Sequence, residues 1–178
     1  MYQIAYNMKW FFSLVLITFL NLNNDDKAMS LYDFKMNGID GKEISFQSFK
    51  GKKVLIVNVA SECGYTSQYE DLQNLHQEFG DKIAVLGFPA NDFGGQEPGA
   101  NLAIQQFCSA KFGVEFQMFE KITVKGAKKH PLYAWLEKET GKVPTWNFCK
   151  YLIDENGKVT AFLPSSVNPM DEAITAGL

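Results

Sequence analysis

The sequence predicts one α/β domain in which a central mixed β-sheet carries helices on both faces. Two continuous apolar runs, residues 53–60 and 83–88, flank residues 67–79, whose apolar side chains recur at helical spacing. A strand, a helix and a strand in this order imply a right-handed parallel crossover. The pair Asn156-Gly157 between two later apolar runs predicts an antiparallel hairpin, so the sheet is mixed. With 178 residues, of which 46% are apolar, the chain can bury one core and gives no sign of a second domain.

The other elements follow from local patterns. Asn-Gly and Asp-Gly pairs near residue 40 separate two short alternating segments and predict a first hairpin. Gly80 and Gly113 each follow a helical pattern and are expected to end it, Gly80 as a C′ glycine. In chain order, the predicted elements are a hairpin of residues 31–36 and 43–46, a strand over 53–60, a helix over 67–79, a strand over 83–88, helices over 101–112 and 130–140, a hairpin of 146–154 and 158–163, and a helix over 168–176. This order is a thioredoxin-like arrangement.

The N-terminal residues 1–28 are expected to be a leader separate from the domain at 29–178. Lys9 precedes the apolar run of residues 10–20, which is too short to span a bilayer comfortably but suits a signal peptide or an anchor. The alternative is that translation begins at Met29 and the preceding residues are an extension of the gene. A signal peptide predicts a periplasmic or secreted protein, whereas a start at Met29 predicts a cytoplasmic one.

Charge and composition exclude several classes of function. The net charge is -3 and the basic residues do not cluster, so a nucleic acid partner is not expected. The chain contains no arginine, the side chain that forms forked bonds to carboxylates and phosphates. The glycine-rich loop at residues 89–99 lacks the endings of phosphate-binding and dinucleotide-binding loops. Three distant cysteines and the isolated His76 and His130 do not form the pattern of a metal site. Neither a metal nor a cofactor is therefore predicted.

Cys63 is the strongest candidate for a reactive residue. It ends an apolar strand just before a helix, where unpaired backbone N–H groups and the helix dipole favour a thiolate. Thr66 occupies the second position of a Cys-x-x-Cys pair, so a thioredoxin-type dithiol is absent. Three segments of the chain stand out together, namely residues 58–66 (NVASECGYT), 87–99 (GFPANDFGGQEPG) and 146–148 (WNF).

In this order, the three segments resemble the glutathione peroxidase family, and the resemblance runs from about Ser30 to the C-terminus. It implies a thiol peroxidase that reduces hydrogen peroxide and organic hydroperoxides to water and alcohols in the response to oxidative stress. Cys63 would attack the peroxide, and the family's assisting residues carry over to Gln96, Trp146 and Asn147. Neutral N–H donors of this kind stabilise charge on the departing oxygen.

The resemblance also implies how the oxidised protein is restored. Cys108 matches the resolving cysteine of the cysteine-containing, thioredoxin-dependent members, so a Cys63–Cys108 disulfide is expected, with unwinding of the helix that carries Cys108. Because no arginine is present to bind the carboxylates of glutathione, a thioredoxin-type protein is expected as the reductant ahead of glutathione, which is the alternative. The short segment at residues 137–145, where tetrameric animal members carry an insertion, implies a monomer or weak dimer with an open site.

Some positions depart from the family pattern. Ala90 stands where a cysteine is common, which leaves Cys108 as the expected resolver, and Gln117 stands where a proline is usual. Cys149 is expected to pack as a small apolar side chain on a strand. A competing class of function is a thiol-based redox sensor or relay, in which oxidised Cys63 passes a disulfide to a partner. A noncatalytic interaction domain is disfavoured because all the donors are present.

Overall fold

A computed structural model of the protein describes residues 1–2 and 29–178. Most of the predicted leader, residues 3–28, lies outside the described residues. In the part that is described, no helix is long and apolar enough to cross a membrane. The elements in chain order are β1 (Lys35–Asn37), β2 (Glu43–Ser45), β3 (Lys53–Val59), α1 (Gln68–Phe79), β4 (Ile83–Pro89), α2 (Asn101–Phe112), β5 (Gln117–Met118), α3 (Pro131–Thr140), β6 (Lys150–Ile153), β7 (Val159–Leu163) and α4 (Glu172–Thr175).

The main sheet has five strands in the order β5-β4-β3-β6-β7. β3 pairs with β4 in parallel, as the strand–helix–strand pattern predicts, and β4 pairs in parallel with β5. β6 pairs with β3 and β7 in antiparallel fashion. β1 and β2 form a separate antiparallel hairpin. The sheet is therefore mixed, and β3, the strand that leads to Cys63, lies at its centre.

The two faces of the sheet have separate cores. Along β3, Val54 and Ile56 point to one core while Leu55, Val57 and Val59 point to the other. The first core includes the buried side chains of α3, and the second includes the buried apolar side chains of α1, α2 and α4. Successive side chains of a strand point to opposite faces of the sheet, so β3 contributes to both cores. Helices cover both faces. The thioredoxin-like α/β prediction is confirmed.

The predicted strand over residues 146–154 is wrong in its first half. β6 begins only at Lys150, and residues 146–149 form a turn that places Phe148 at a φ of 64°. In the described residues, Phe148 is the only residue other than glycine with a positive φ. A local apolar pattern cannot predict this conformation, because the sequence gives no glycine at the position that adopts it. Trp146 and Asn147 therefore lie on a turn that precedes β6.

Two predicted helix ends also differ from the structure. The last helix is only Glu172–Thr175, because the Asp171 carboxylate accepts from the N–H of Ala173 and caps the helix there. Gly80 follows α1 as predicted but in a right-handed conformation, with φ −65°. A side-chain carbon at Gly80 would lie 2.4 Å from the His76 carbonyl oxygen, so close packing requires glycine here. Gly113 does end α2 in the left-handed conformation, with φ 61°.

Candidate active site

Cys63 lies on the tight turn between β3 and α1. The Thr66 hydroxyl accepts from the N–H of Cys63 (2.9 Å) and donates to the carbonyl of Ala60 (2.9 Å), so one side chain bridges both ends of the turn. The N–H of Tyr65 points at the Cys63 sulfur at 3.4 Å. The thiol is half-buried, and Tyr65 beside it is exposed. Cys63 is thus held rigidly with its sulfur next to a backbone donor.

Gln96 approaches this turn from the loop that follows β4. Gly94 and Gly95 have φ values of 64° and 66°, a conformation that glycine adopts without strain, and they reverse the chain before Gln96. The carbonyl of Gln96 accepts a 3.0 Å hydrogen bond from the N–H of Glu62, the residue before Cys63. A backbone bond therefore joins the loop of Gln96 to the turn of Cys63.

Asn147 and Trp146 come from the turn before β6. The Asn147 side-chain amide is buried and donates to the Gln96 side-chain carbonyl at 2.9 Å, so the Gln96 Nε2 group remains as a donor. The Trp146 ring packs against Phe93 with ring centroids 5.9 Å apart, and 39% of Trp146 is exposed. The side chain of Asn58 in β3 donates to the Trp146 carbonyl at 2.9 Å. The structure thus joins two of the predicted residues directly and anchors Trp146 beside them.

Cys108 lies on another element, α2. It is only 1% exposed, and burial raises the pKa of its thiol to about 11; the nearby Tyr69 hydroxyl opposes this shift and Glu97 adds to it. Cys63, Cys108 and Cys149 are all free, so the structure is that of the reduced protein. Among the twelve residues of α2, only Ile104 and Cys108 are buried, and Phe107 and Phe112 pack against the same core while partly exposed.

A comparison with known protein families shows which family this chain belongs to. The family model described as glutathione peroxidase matches residues 31–137, which include Cys63, Gln96 and Cys108. The chain belongs to the glutathione peroxidase family. It is therefore a peroxidase, an oxidoreductase that reduces a peroxide.

Individual relatives agree with this. A hydroperoxy fatty acid reductase of Synechocystis is 42% identical over 151 residues, which cover 79% of this chain and 89% of that protein. The crystal structure of Trgpx in apo form has a TM-score of 0.67 and 36% identity, and the match covers 84% of this chain and 95% of that one. A thiol:disulfide interchange protein of Chlorobium tepidum, at a TM-score of 0.64 and 16% identity over 83% of this chain and 94% of that one, shares the fold alone.

The sequence did not single out Glu97, the residue after Gln96 in this glutathione peroxidase. Its side chain is 1% exposed and accepts a 3.1 Å hydrogen bond from the Ser61 hydroxyl, two residues before Cys63. Burial raises the pKa of the Glu97 carboxyl, and the bond from Ser61 opposes this. A glutamate inside a turn-rich, glycine-rich loop is normally exposed, so only its position next to Gln96 offered a signal.

Cys149 is fully buried, but it lies in the turn before β6 and not on a strand. Its sulfur is 3.5 Å from the Ser165 hydroxyl and 3.9 Å from the Thr145 hydroxyl. These are contacts of a small packed side chain. Among residues 29–178, no group of three or more His, Cys, Asp or Glu side chains is arranged to hold a metal ion.

Proposed function

We propose that Cys63 is the residue that attacks the peroxide and that Gln96, Trp146 and Asn147 assist it. The observation that carries this proposal is the 2.9 Å hydrogen bond from Asn147 to Gln96, which joins two loops far apart in sequence beside the turn of Cys63. In the reaction, the Cys63 thiolate forms an S–O bond to one peroxide oxygen while the O–O bond breaks. Cys63 becomes a sulfenic acid, and the other oxygen leaves as hydroxide or alkoxide and takes a proton.

The assisting groups act through the charge on the departing oxygen. The side chains of Gln96, Asn147 and Trp146 are neutral, and each carries an N–H donor. Donors fixed in place before the reaction stabilise the developing negative charge without reorganising. Both histidines lie outside this set of residues, so we propose that water or the original thiol proton protonates the leaving group.

Cys108 is proposed to resolve the sulfenic acid. Its sulfur attacks the sulfur of Cys63, the hydroxyl leaves as water with the thiol proton, and a Cys63–Cys108 disulfide forms. Cys108 is buried and Cys63 half-buried on different elements, and α2 is proposed to unwind so that the two sulfurs can meet. The small number of buried side chains on α2 supports this step, because local unfolding is easiest where few apolar contacts are lost.

A thioredoxin-type protein is proposed as the reductant of this disulfide. A dithiol can reduce it through a mixed disulfide, whereas two molecules of glutathione would have to bind a chain without arginine. The name of the Synechocystis relative supports organic hydroperoxides as substrates beside hydrogen peroxide. A monomer or weak dimer is also proposed, and the sedimentation coefficient of the purified protein tests it.

Residues 1–28 are proposed to be a leader that is separate from the domain at residues 29–178. Mass spectrometry of the mature N-terminus distinguishes a cleaved or retained leader from a start at Met29.

The burial of Cys108 favours one second candidate, a redox sensor. A thiol with a pKa of about 11 attacks slowly, and a long-lived sulfenic acid on Cys63 would be available to a partner protein. Steady-state consumption of peroxide with thioredoxin and its reductase supports the peroxidase, whereas oxidation without turnover supports the sensor.

The decisive experiment is this assay on the wild type, Cys63→Ser and Cys108→Ser, with glutathione as a parallel reductant. Cys149→Ser is the matched control, because Cys149 is buried like Cys108 but has no role in the proposed cycle. We expect both Cys63→Ser and Cys108→Ser to abolish thioredoxin-dependent turnover and Cys149→Ser to retain it. Activity in Cys63→Ser would overturn the scheme, and fast turnover with glutathione alone would overturn the choice of reductant.

A further inference from the structure

Lys150 is the first residue of β6, and its side chain is completely buried. It is the only buried lysine among the described residues. Burying an ammonium group is unfavourable unless hydrogen bonds replace its water. The contacts of Lys150 therefore indicate what the buried charge does.

The Lys150 ammonium group bonds to two neutral oxygens. It donates to the side-chain carbonyl of Gln68 at 2.8 Å and to the backbone carbonyl of Phe148 at 2.8 Å. Gln68 is the first residue of α1, and its amide nitrogen donates to the carbonyl of Ser165 at 2.7 Å, which fixes the orientation of its side chain. No carboxylate in the described part of the chain forms an ion pair with Lys150. The lysine thus links the start of α1 to the turn that contains Phe148.

Phe148 needs such support because its backbone is strained. A φ of 64° is unfavourable for a residue with a side chain, and it persists only where the surroundings enforce it. Its ring is fully buried and meets Tyr69 edge to face at 5.6 Å. Its N–H donates to the carbonyl of Asn58 at 2.6 Å, and its carbonyl accepts from Lys150. The ring, the N–H and the carbonyl of Phe148 are therefore all held.

The conformation of Phe148 sets the position of the residues before it. Asn147 precedes Phe148 directly and reaches Gln96 from this turn, and Trp146 precedes Asn147. If Phe148 relaxed to a negative φ, the chain would leave the turn in another direction and the Asn147 amide would move away from Gln96. We infer that Lys150 is a positioning residue that, through the Phe148 carbonyl, holds Trp146 and Asn147 in place for the attack on peroxide.

This inference rests on the proposed roles of Trp146 and Asn147, so its test needs a readout of geometry as well as one of activity. The variant is Lys150→Met, which keeps a long buried side chain but removes the donors. The matched control is Lys158→Met, an exposed lysine in the hairpin turn between β6 and β7. Two rate constants are measured after mixing with hydrogen peroxide, the oxidation of Cys63 and the formation of the disulfide with Cys108.

We expect Lys150→Met to slow the oxidation of Cys63 by about 10- to 100-fold, the loss typical of a misplaced catalytic group. Disulfide formation should stay within about threefold of wild type, because the hydrogen bonds of Lys150 go to Gln68 and Phe148 and not to α2. A general loss of stability would change both steps. In ¹H–¹⁵N spectra, the indole signal of Trp146 and the side-chain amide signals of Asn147 should shift. The indole signal of Trp135, on α3, should not.

An oxidation rate within about threefold of wild type, or unchanged signals of Trp146 and Asn147, would overturn the inference. If Lys150→Met does not fold, Lys150→Gln replaces it and is judged by the same criteria. The spectra separate the two hypotheses. If the wild type does not reduce peroxide, the proposed function is refuted. Shifted signals of Trp146 and Asn147 in Lys150→Met would still support the positioning role of Lys150.

Discussion

The Ser61 hydroxyl donates a 3.1 Å hydrogen bond to the carboxylate of Glu97, a residue that is only 1% exposed. This bond, together with the backbone bond from Glu62 to Gln96, fastens the turn of Cys63 to the loop that follows β4. The two elements that carry Cys63 and Gln96 are therefore joined at two points, one of which is the buried Glu97 carboxylate.

Glu97→Gln should change how stability depends on pH. Burial raises the pKa of Glu97 above its usual value of 4.5, so the folded protein binds this proton more tightly than the unfolded chain. Wild-type stability from this group is present below the unfolded pKa and is lost as the pH rises through the folded pKa. The free energy of unfolding of Glu97→Gln, relative to wild type, should therefore increase as the pH rises above 4.5 in urea titrations.

Glu62→Gln is the control for this experiment, because Glu62 is exposed and adjacent to the same turn. A pH-independent difference between Glu97→Gln and wild type would show that the Glu97 carboxyl does not titrate differently in the folded state.

Lys150→Met should change stability in the alkaline range. Burial lowers the pKa of Lys150 from its usual 10.5 to about 8, so between these values the unfolded chain holds a proton that the folded protein lacks. Wild-type stability from this group rises with pH across this window. The unfolding free energy of wild type minus that of Lys150→Met should increase between about pH 8 and pH 10.5 in urea titrations. A constant difference would contradict the prediction.

Alkylation should distinguish Cys63 from Cys108. With a pKa of about 11, Cys108 is roughly 0.1% thiolate at about pH 8, and its burial also restricts access. Native protein treated with iodoacetamide should therefore be labelled at Cys63 at least about 100-fold faster than at Cys108, as measured by peptide mass spectrometry. Labelling in denaturant is the control, because unfolding exposes both cysteines and the two labelling rates should then be similar. Comparable labelling of both in the native protein would contradict the structure.

Ile104→Ala should accelerate the formation of the Cys63–Cys108 disulfide. Ile104 is one of the two buried side chains of α2, and its truncation weakens the helix against unfolding. If α2 must unwind, the resolution rate should rise by about tenfold or more, while the oxidation of Cys63 stays unchanged. Leu102→Ala on the same helix is the matched control, because Leu102 is 65% exposed. Equal resolution rates in both variants would argue against unwinding.

Trp146→Phe should slow the oxidation of Cys63. Phenylalanine keeps an aromatic ring against Phe93 but lacks the indole N–H, so the proposed donor is lost and the packing is largely kept. A decrease of about 10- to 100-fold in the rate constant with hydrogen peroxide is expected in stopped-flow measurements. Trp135→Phe is the control, since Trp135 lies on α3 and its N–H bonds to the carbonyl of Met29 at 2.9 Å. An unchanged rate for Trp146→Phe would remove the indole from the mechanism.

The sequence predicted most of the elements because their signals are local. β3, α1 and β4 follow from apolar runs and helical spacing, and the Asn156-Gly157 turn follows from its residue types. β5 was not predicted because it has only two residues, which pair with β4 at the sheet edge. A segment this short has no periodicity of its own.

The sequence by itself determined the family, the fold class and the residues expected to act in the reaction, because these depend on residue types and their order along the chain. Only the tertiary structure decided how two of those residues are presented. Asn58 and Lys150 hold Phe148 in a conformation that its own sequence disfavours, and this turns Trp146 and Asn147 off the predicted strand and toward Gln96. The burial of Glu97 and Lys150 could not be predicted either, since Ser61 and Gln68, whose side chains bond to them, lie far away in the sequence.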